Sequence, residues 1–172
     1  LHKEYRRQRQ MCIRDRFNVA TTFTRAAEEA LIDVESSIHV GARGPTNDSG
    51  VFNHTRDVGY GLIDSTELFN AGLRNTAKNI VESLKGRSVY LCFDMDFFDP
   101  SCAPGVCTPT WGGATSREGL DFLQNLTGLN LVGADINTVS PPHDISGMTA
   151  FLAATVGLEI LSVICHSKGL AE

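Results

Sequence analysis

Residues 92–100, CFDMDFFDP, follow the β-branched and aromatic run RSVYL and hold three aspartates at i, i+2 and i+5. The run reads as a strand that ends in a loop of carboxylates. Side chains alternate across a strand, so Asp94 and Asp96 are expected on one face, about 6.5 Å apart, with Phe93 and Met95 directed into the core. Functional groups gather at the carboxyl ends of strands in parallel α/β sheets, and this pair lies at such an end. A hard or borderline divalent cation offsets the repulsion between two carboxylates. Other readings compete. The acids could cap a loop or a following helix. An EF-hand loop needs an acidic or amide residue at its fifth position and Gly at its sixth, where Phe98 and Asp99 stand. A phosphoryl-transfer aspartate loop would continue with Gly or Thr rather than Phe97 and Phe98. Metal-dependent hydrolysis remains beside the capping reading, and it requires more ligands than two.

Outward from this stretch, strands and helices alternate. Phe23, Ala26, Ala27, Ala30 and Leu31 recur at helical spacing with Arg25, Glu28 and Glu29 opposite. SSIHVGARGP reads as a short strand closed by Gly44 and Pro45, and DVGYGLID as loop or short strand. Leu73, Ala77, Ile80, Val81 and Leu84 form the stripe of a helix expected over residues 65–85 and ended by Gly86. Thr115 and Glu118 have capping-box spacing and open a helix running through Leu123 and Leu126. LNLVGADINTV is a mostly apolar strand, and SPPHDISG breaks the chain. MTAFLAATVGLEILSVICHS is a helix apolar on most sides, hence expected to be buried. The alternation predicts a three-layer αβα architecture with a mostly parallel sheet covered on both faces.

With 172 residues, 42% hydrophobic and 20% charged, the chain has the material for one soluble globular domain. A net charge of −5 argues against a nucleic-acid partner. No run approaches the roughly 18 unbroken apolar residues of a membrane span, and the charged N-terminus is unlike a signal peptide. Five cysteines without regular spacing point to thiols in a reducing, cytoplasmic compartment. The tract LHKEYRRQRQMCIRDR sets Lys3, Arg6, Arg7, Arg9, Arg14 and Arg16 against Glu4 and Asp15 alone. A basic arm for an acidic partner is one reading. The sharper reading is the translation of a sequencing adapter, so residues 1–16 are expected to be non-native and residues 17–172 to be the domain.

The longer segment VYLCFDMDFFDPSCAPGVCTPTWGG resembles the signature of the ureohydrolases, the arginase and agmatinase family, whose pattern is S-x-D-x-D-x-x-D-P-x-x-A-P-G-x-G-T-P. The likeness extends through IHVGARGP and VGADINTVSPPHDISGMTAFLAATVGLEIL. It implies an arginase-like fold and the hydrolysis of a guanidino compound to urea plus an amine or ammonia, by a hydroxide held between two divalent metal ions. Manganese is the usual metal, and nickel the alternative in a branch acting on guanidine itself. The resemblance makes Asp94 the bridging ligand and Asp96 a ligand of one metal, with Asp99 and Pro100 shaping the loop. The family's remaining ligands, from G-G-x-H and D-A-H-x-D motifs, have no counterpart here, so the N-terminal half is expected to be missing. A trimer or hexamer is implied for the full-length protein.

Several positions depart from the family pattern. Val19 and Ala20 stand where the family has the His and Gly of H-G-T-x-F, which leaves a non-catalytic relative as an alternative. Cys92 replaces the usual Ser and Cys107 the usual Gly. Cys102 and Cys107 could be soft metal ligands, although free cysteine more often serves as a small hydrophobe. His143, in SPPHD, is a candidate proton carrier, or a loop histidine satisfied by its neighbours. Asp144 and Ser146 read as caps of the final helix. His39 and His54 read as structural or solvated. Trp111, before Gly112 and Gly113, is a candidate pocket wall. Thr138 stands in DINTV where family members with longer substrates carry the Glu of D-x-x-E-V, which pairs with the guanidinium. The neutral hydroxyl favours guanidine or another small guanidino compound over agmatine, with an ordinary agmatinase as the alternative.

Overall fold

A computed structural model describes residues 21–45 and 50–170. Residues 1–16, Val19 and Ala20, on which several expectations rest, lie outside them. The chain divides into two compact units, one of Leu1–Ile38 with Asp48–Leu62, the other of His39–Asn47 with Ile63–Glu172.

The first unit contains helix α1 (Thr22–Glu28), a 3-10 turn (Val34–Ser36) and helix α2 (Val51–Val58). The periodicity predicted α1, but Ala30 turns into the left-handed region (φ 52°) and leaves Leu31 beyond the helix and exposed. Phe23 meets Tyr60 edge to face at 6.4 Å, and the Tyr60 hydroxyl donates to the Phe23 carbonyl at 2.6 Å. Helix α2 has no clear signal in VFNHTRDV, whose β-branched and Asn residues are weak helix formers. It is delimited by its caps, because Gly50 and Gly59 both adopt left-handed conformations. His54 lies on this helix.

In the second unit, Ser88–Asp94 (β3) pairs in parallel with Asn130–Asn137 (β4). Ile38–Ala42 (β1) and Gly61–Asp64 (β2), whose residues are divided between the units, form a separate two-stranded sheet. The single helix expected over residues 65–85 is two, α3 (Ser65–Ala71) and α4 (Leu73–Ser83). Gly72, at φ 82°, breaks the ladder between them. The Asp64 side chain caps α3 through the Glu67 N–H at 2.9 Å. Helix α5 (Ser116–Gln124) opens on the predicted capping box of Thr115 and Glu118.

Helix α6 (Met148–Ser167) has the predicted bounds but not the predicted burial. It packs on β4 and α5, burying Thr149, Val156, Ile160 and Val163, while Phe151, Leu158 and Leu161 remain exposed. By length and composition it could cross a membrane, yet here it is the cover of a strand. The sheet is likewise open on one face, where Tyr90 and Val132 stand in solvent. The parallel β3–β4 pair with its helices is the α/β arrangement expected, and these surfaces are exposed among the described residues.

The core lies directly behind the aspartate loop. Phe93, Phe97, Phe98 and Phe122 meet at centroid distances of 5.7–6.0 Å, and Met95, Phe98, Leu123 and Leu131 are almost fully buried. Gly41 is required, since its φ is 85° and a Cβ there would lie 2.8 Å from the Phe97 ring.

Candidate active site

Strand β3 ends at Asp94, and residues Met95–Phe97 form a 3-10 turn. Asp96 is therefore not a strand residue, contrary to the alternation expected. Asp94 Oδ1 accepts the Asp96 N–H at 3.4 Å, which turns the chain as soon as the strand ends. The expected inward direction of Phe93 and Met95 is observed, at 5% and 0% exposure. Burial of alternate apolar residues leaves both carboxylates on the opposite side of the loop, near one another.

Two threonine hydroxyls complete this cluster. Parallel pairing aligns Asp94 with Asn137, so the carboxyl ends of β3 and β4 lie side by side. The next residue, Thr138, takes a left-handed conformation (φ 68°), unusual for a β-branched residue. Its hydroxyl donates to Asp94 Oδ1, and it also lies 2.8 Å from the Asn137 carbonyl. Thr108 donates to Asp96 Oδ2 at 2.9 Å. The Arg43 guanidinium, from the segment after β1, donates to the main-chain carbonyls of Asp96, Phe98 (3.1 Å) and Thr110 (2.9 Å). It ties the aspartate loop to the CTPTW loop. Burial and the charge of Asp94 push the Asp96 carboxyl up, while Thr108 and Arg43 draw it down.

Asp99 has a different setting. Its Oδ1 accepts the Ser101 N–H at 3.0 Å, and its Oδ2 those of Gly112 (2.9 Å) and Gly113 (3.3 Å). Hydrogen bonds from Ser101, then from the two glycines, hold its carboxyl down at about 2. These bonds close the loop and support a shaping role.

The other expected residues make no hydrogen bond to the Asp94 or Asp96 carboxylate among the described residues. His143 Nδ1 lies 2.8 Å from Ser140 Oγ in a short 3-10 turn, and the ring is exposed. Trp111 is 75% exposed on its turn. Asp144 caps α6 by accepting the N–H groups of Thr149 and Ala150, each at 2.9 Å. Burial, then Asp135, pushes the Cys92 thiol up to about 11, so it stays protonated near neutrality. Cys102 Sγ points to the Asp99 carbonyl at 3.3 Å, and burial raises its thiol as well. Neither thiol is set up as a thiolate donor. Arg43 and Thr108 were not expected at this site. Both lie within the segments quoted above, IHVGARGP and VYLCFDMDFFDPSCAPGVCTPTWGG, but no local pattern shows that they reach Asp96.

As metal donors, Asp94 and Asp96 fit a hard or borderline cation. Both are carboxylates, they repel in the absence of a cation, and each has a second oxygen that accepts no N–H or O–H among the described residues. They are part of a coordination sphere and not all of it. No group of three or more His, Cys, Asp or Glu able to hold a metal occurs among the described residues.

The arginase family profile matches residues 3–162. The chain is 36% identical to a guanidinobutyrase of Pseudomonas aeruginosa over 84% of its own length and 45% of that protein's. It is also 36% identical to an agmatinase of Photorhabdus laumondii, over 88% and 47% respectively. Among solved structures, proclavaminate amidino hydrolase from Streptomyces clavuligerus superposes with a TM-score of 0.78 at 35% identity, covering 86% of this chain and 48% of that one. The chain spans about half the length of the curated relatives it matches. With this arginase-like α/β fold and a match along nearly its whole length, the chain belongs to the arginase family.

Proposed function

We propose that residues 17–172 are the C-terminal part of a metal-dependent hydrolase that cleaves a guanidino compound to urea and an amine or ammonia. The observation that carries the proposal is the meeting of Asp94 and Asp96 at the carboxyl end of the parallel β3–β4 pair, in a chain of this family. Asp94 and Asp96 would hold divalent metal, manganese first and nickel as the alternative. Bound there, such ions supply Lewis-acid activation of water and stabilise developing negative charge.

The residues of this chain do the rest of what is assigned to it. The Phe93–Phe98 packing orients the two carboxylates, and Asp99 holds the loop that carries Asp96. His143, whose Nδ1 is engaged by Ser140, is assigned the proton that the leaving nitrogen must acquire. Trp111 is assigned to the pocket wall.

Thr138 puts a neutral group where an acid would pair with a longer cationic substrate. A charged hydrogen bond contributes about 1.5–3 kcal/mol against about 1 kcal/mol for a neutral one. Guanidine or another small guanidino compound is therefore favoured over agmatine. The agmatinase relative, as similar as the guanidinobutyrase, keeps the agmatine reading as the second candidate.

The test begins with the complete reading frame from unfragmented genomic DNA. Absence of the LHKEYRRQRQMCIRDR tract is expected there, and its presence would make residues 1–16 native. The complete protein is then assayed for urea release from guanidine, guanidinobutyrate and agmatine, with Thr138→Glu as control. The highest kcat/KM is expected on guanidine or guanidinobutyrate, with agmatine improved by Thr138→Glu. A wide preference for agmatine rejects the small-substrate reading, and no release from any of them favours a non-catalytic relative. A cytoplasmic trimer or hexamer is the assembly proposed for the whole protein.

A further inference from the structure

We infer that Thr108 and Thr138 are a matched pair of positioning residues, one for each carboxylate of the site. This rests on the metal reading of Asp94 and Asp96 proposed above, and it assigns Thr138 a task besides substrate discrimination.

The two hydroxyls reach the acids from one frame. Thr138 leaves β4 in a left-handed conformation, and the chain then runs antiparallel to the segment that bears Thr108. The Cys107 N–H donates to the Thr138 carbonyl at 3.0 Å, Val106 and Val139 form an antiparallel bridge, and the Ser140 N–H donates to the Gly105 carbonyl at 2.7 Å. Gly105 is anchored in turn to α6, its N–H donating to the buried Thr149 hydroxyl at 2.8 Å. A Cβ at Gly105 would lie 2.5 Å from Asp144, so the ladder can be this close to the segment that leads into α6 only with glycine there.

From this frame Thr138 donates to Asp94 Oδ1 and Thr108 to Asp96 Oδ2. Each hydroxyl occupies one oxygen of one carboxylate and leaves the other oxygen to a cation. A carboxylate so held has lost rotational freedom before any ligand arrives, which is how outer-shell hydrogen bonds raise metal affinity. The left-handed conformation of Thr138 is the kind of backbone cost that persists where surrounding structure over-determines it and that clusters at functional sites. The hydroxyl at this position is therefore turned toward the acid behind it, and a substrate would meet the Asp94–Thr138 pair as a unit.

The experiment uses the complete protein stripped of metal and titrated calorimetrically with Mn2+ alone. Thr138→Val and Thr108→Val keep the shape and remove the hydroxyl; Thr138→Ser and Thr108→Ser keep the hydroxyl. Each Val variant is expected to bind Mn2+ about 10- to 100-fold more weakly, and each Ser variant close to the unsubstituted protein. At saturating Mn2+ the KM of Thr108→Val, which has no assigned contact with substrate, is expected to be unchanged. Circular dichroism checks the fold, and Thr→Ala replaces any Val variant that does not fold. Unchanged affinity in the Val variants overturns the inference, as does equal weakness in Ser and Val, or a raised KM without any loss of metal. Failure of the unsubstituted protein to bind Mn2+ overturns it too. If the affinities behave as expected while no guanidino compound is hydrolysed, the functional reading falls and the positioning pair stands.

Discussion

Asp94 and Asp99 belong to one motif, yet the neighbours of each give it a different task. Among the described residues Asp94 keeps an oxygen clear of donors, whereas both oxygens of Asp99 are taken by main-chain N–H groups. The hydrogen bonds that hold Asp99 at about 2 mean that its ionised form supports the fold. That contribution is present above the ordinary carboxyl value of 3.8 and is lost as pH falls through about 2. Asp99→Asn is therefore expected to lower Tm at neutral pH, with the difference from the unsubstituted protein narrowing as pH falls through that window. It should leave metal binding by the complete protein intact. Asp94→Ala is expected to do the opposite, removing metal and nearly all activity with less effect on Tm. Melts across pH and Mn2+ titration check both, and equal metal loss would show the aspartates wrongly divided. The motif singles out Asp94 and Asp96 in the sequence as candidate ligands. The roles of Thr108 and Arg43 were not legible there, because their hydrogen bonds span 12 and 53 residues.

Elements were legible where local chemistry repeats or punctuates. The Thr115–Glu118 box and the 20-residue apolar run of α6 marked their helices. Gly72 sits inside an otherwise helical stripe, and only its positive φ shows that the helix divides there, while α2 has no stripe to show. The contact of α5 with the aspartate loop is equally invisible in sequence, and it is severe. A Cβ on Gly119 would lie 2.1 Å from the ring of Phe98, which is 1% exposed. Helix propensity alone favours Ala over Gly here by about 1 kcal/mol. Steric conflict wins, since Phe98 has no free space to move into. Gly119→Ala is expected to destabilise the protein by about 1–3 kcal/mol in denaturant titration, and stabilisation would show that the ring can yield.

For the whole molecule, the open surfaces and the incomplete donor set lead to one expectation. The chain spans about half of its relatives, and the described residues offer two carboxylates where a closed site needs more. The purified 172-residue chain is expected to release no urea and to hold no stoichiometric metal. Tyr90 and Val132 on the sheet, with Phe151, Leu158 and Leu161 on α6, are exposed, so it is also expected to self-associate. Urea assay, metal analysis and light scattering measure all three, and turnover by this chain would defeat the account.

The sequence by itself determined the family and the α/β alternation, and it singled out Asp94 and Asp96 as candidates, because periodicity, caps and a long motif are local in the chain. Tertiary structure alone decided that Asp96 sits on a 3-10 turn, that a glycine divides one helix into two, and that two threonines and an arginine converge on the acids. Those outcomes depend on parallel register and on packing behind the loop, where residues far apart in the chain compete for the same few ångströms.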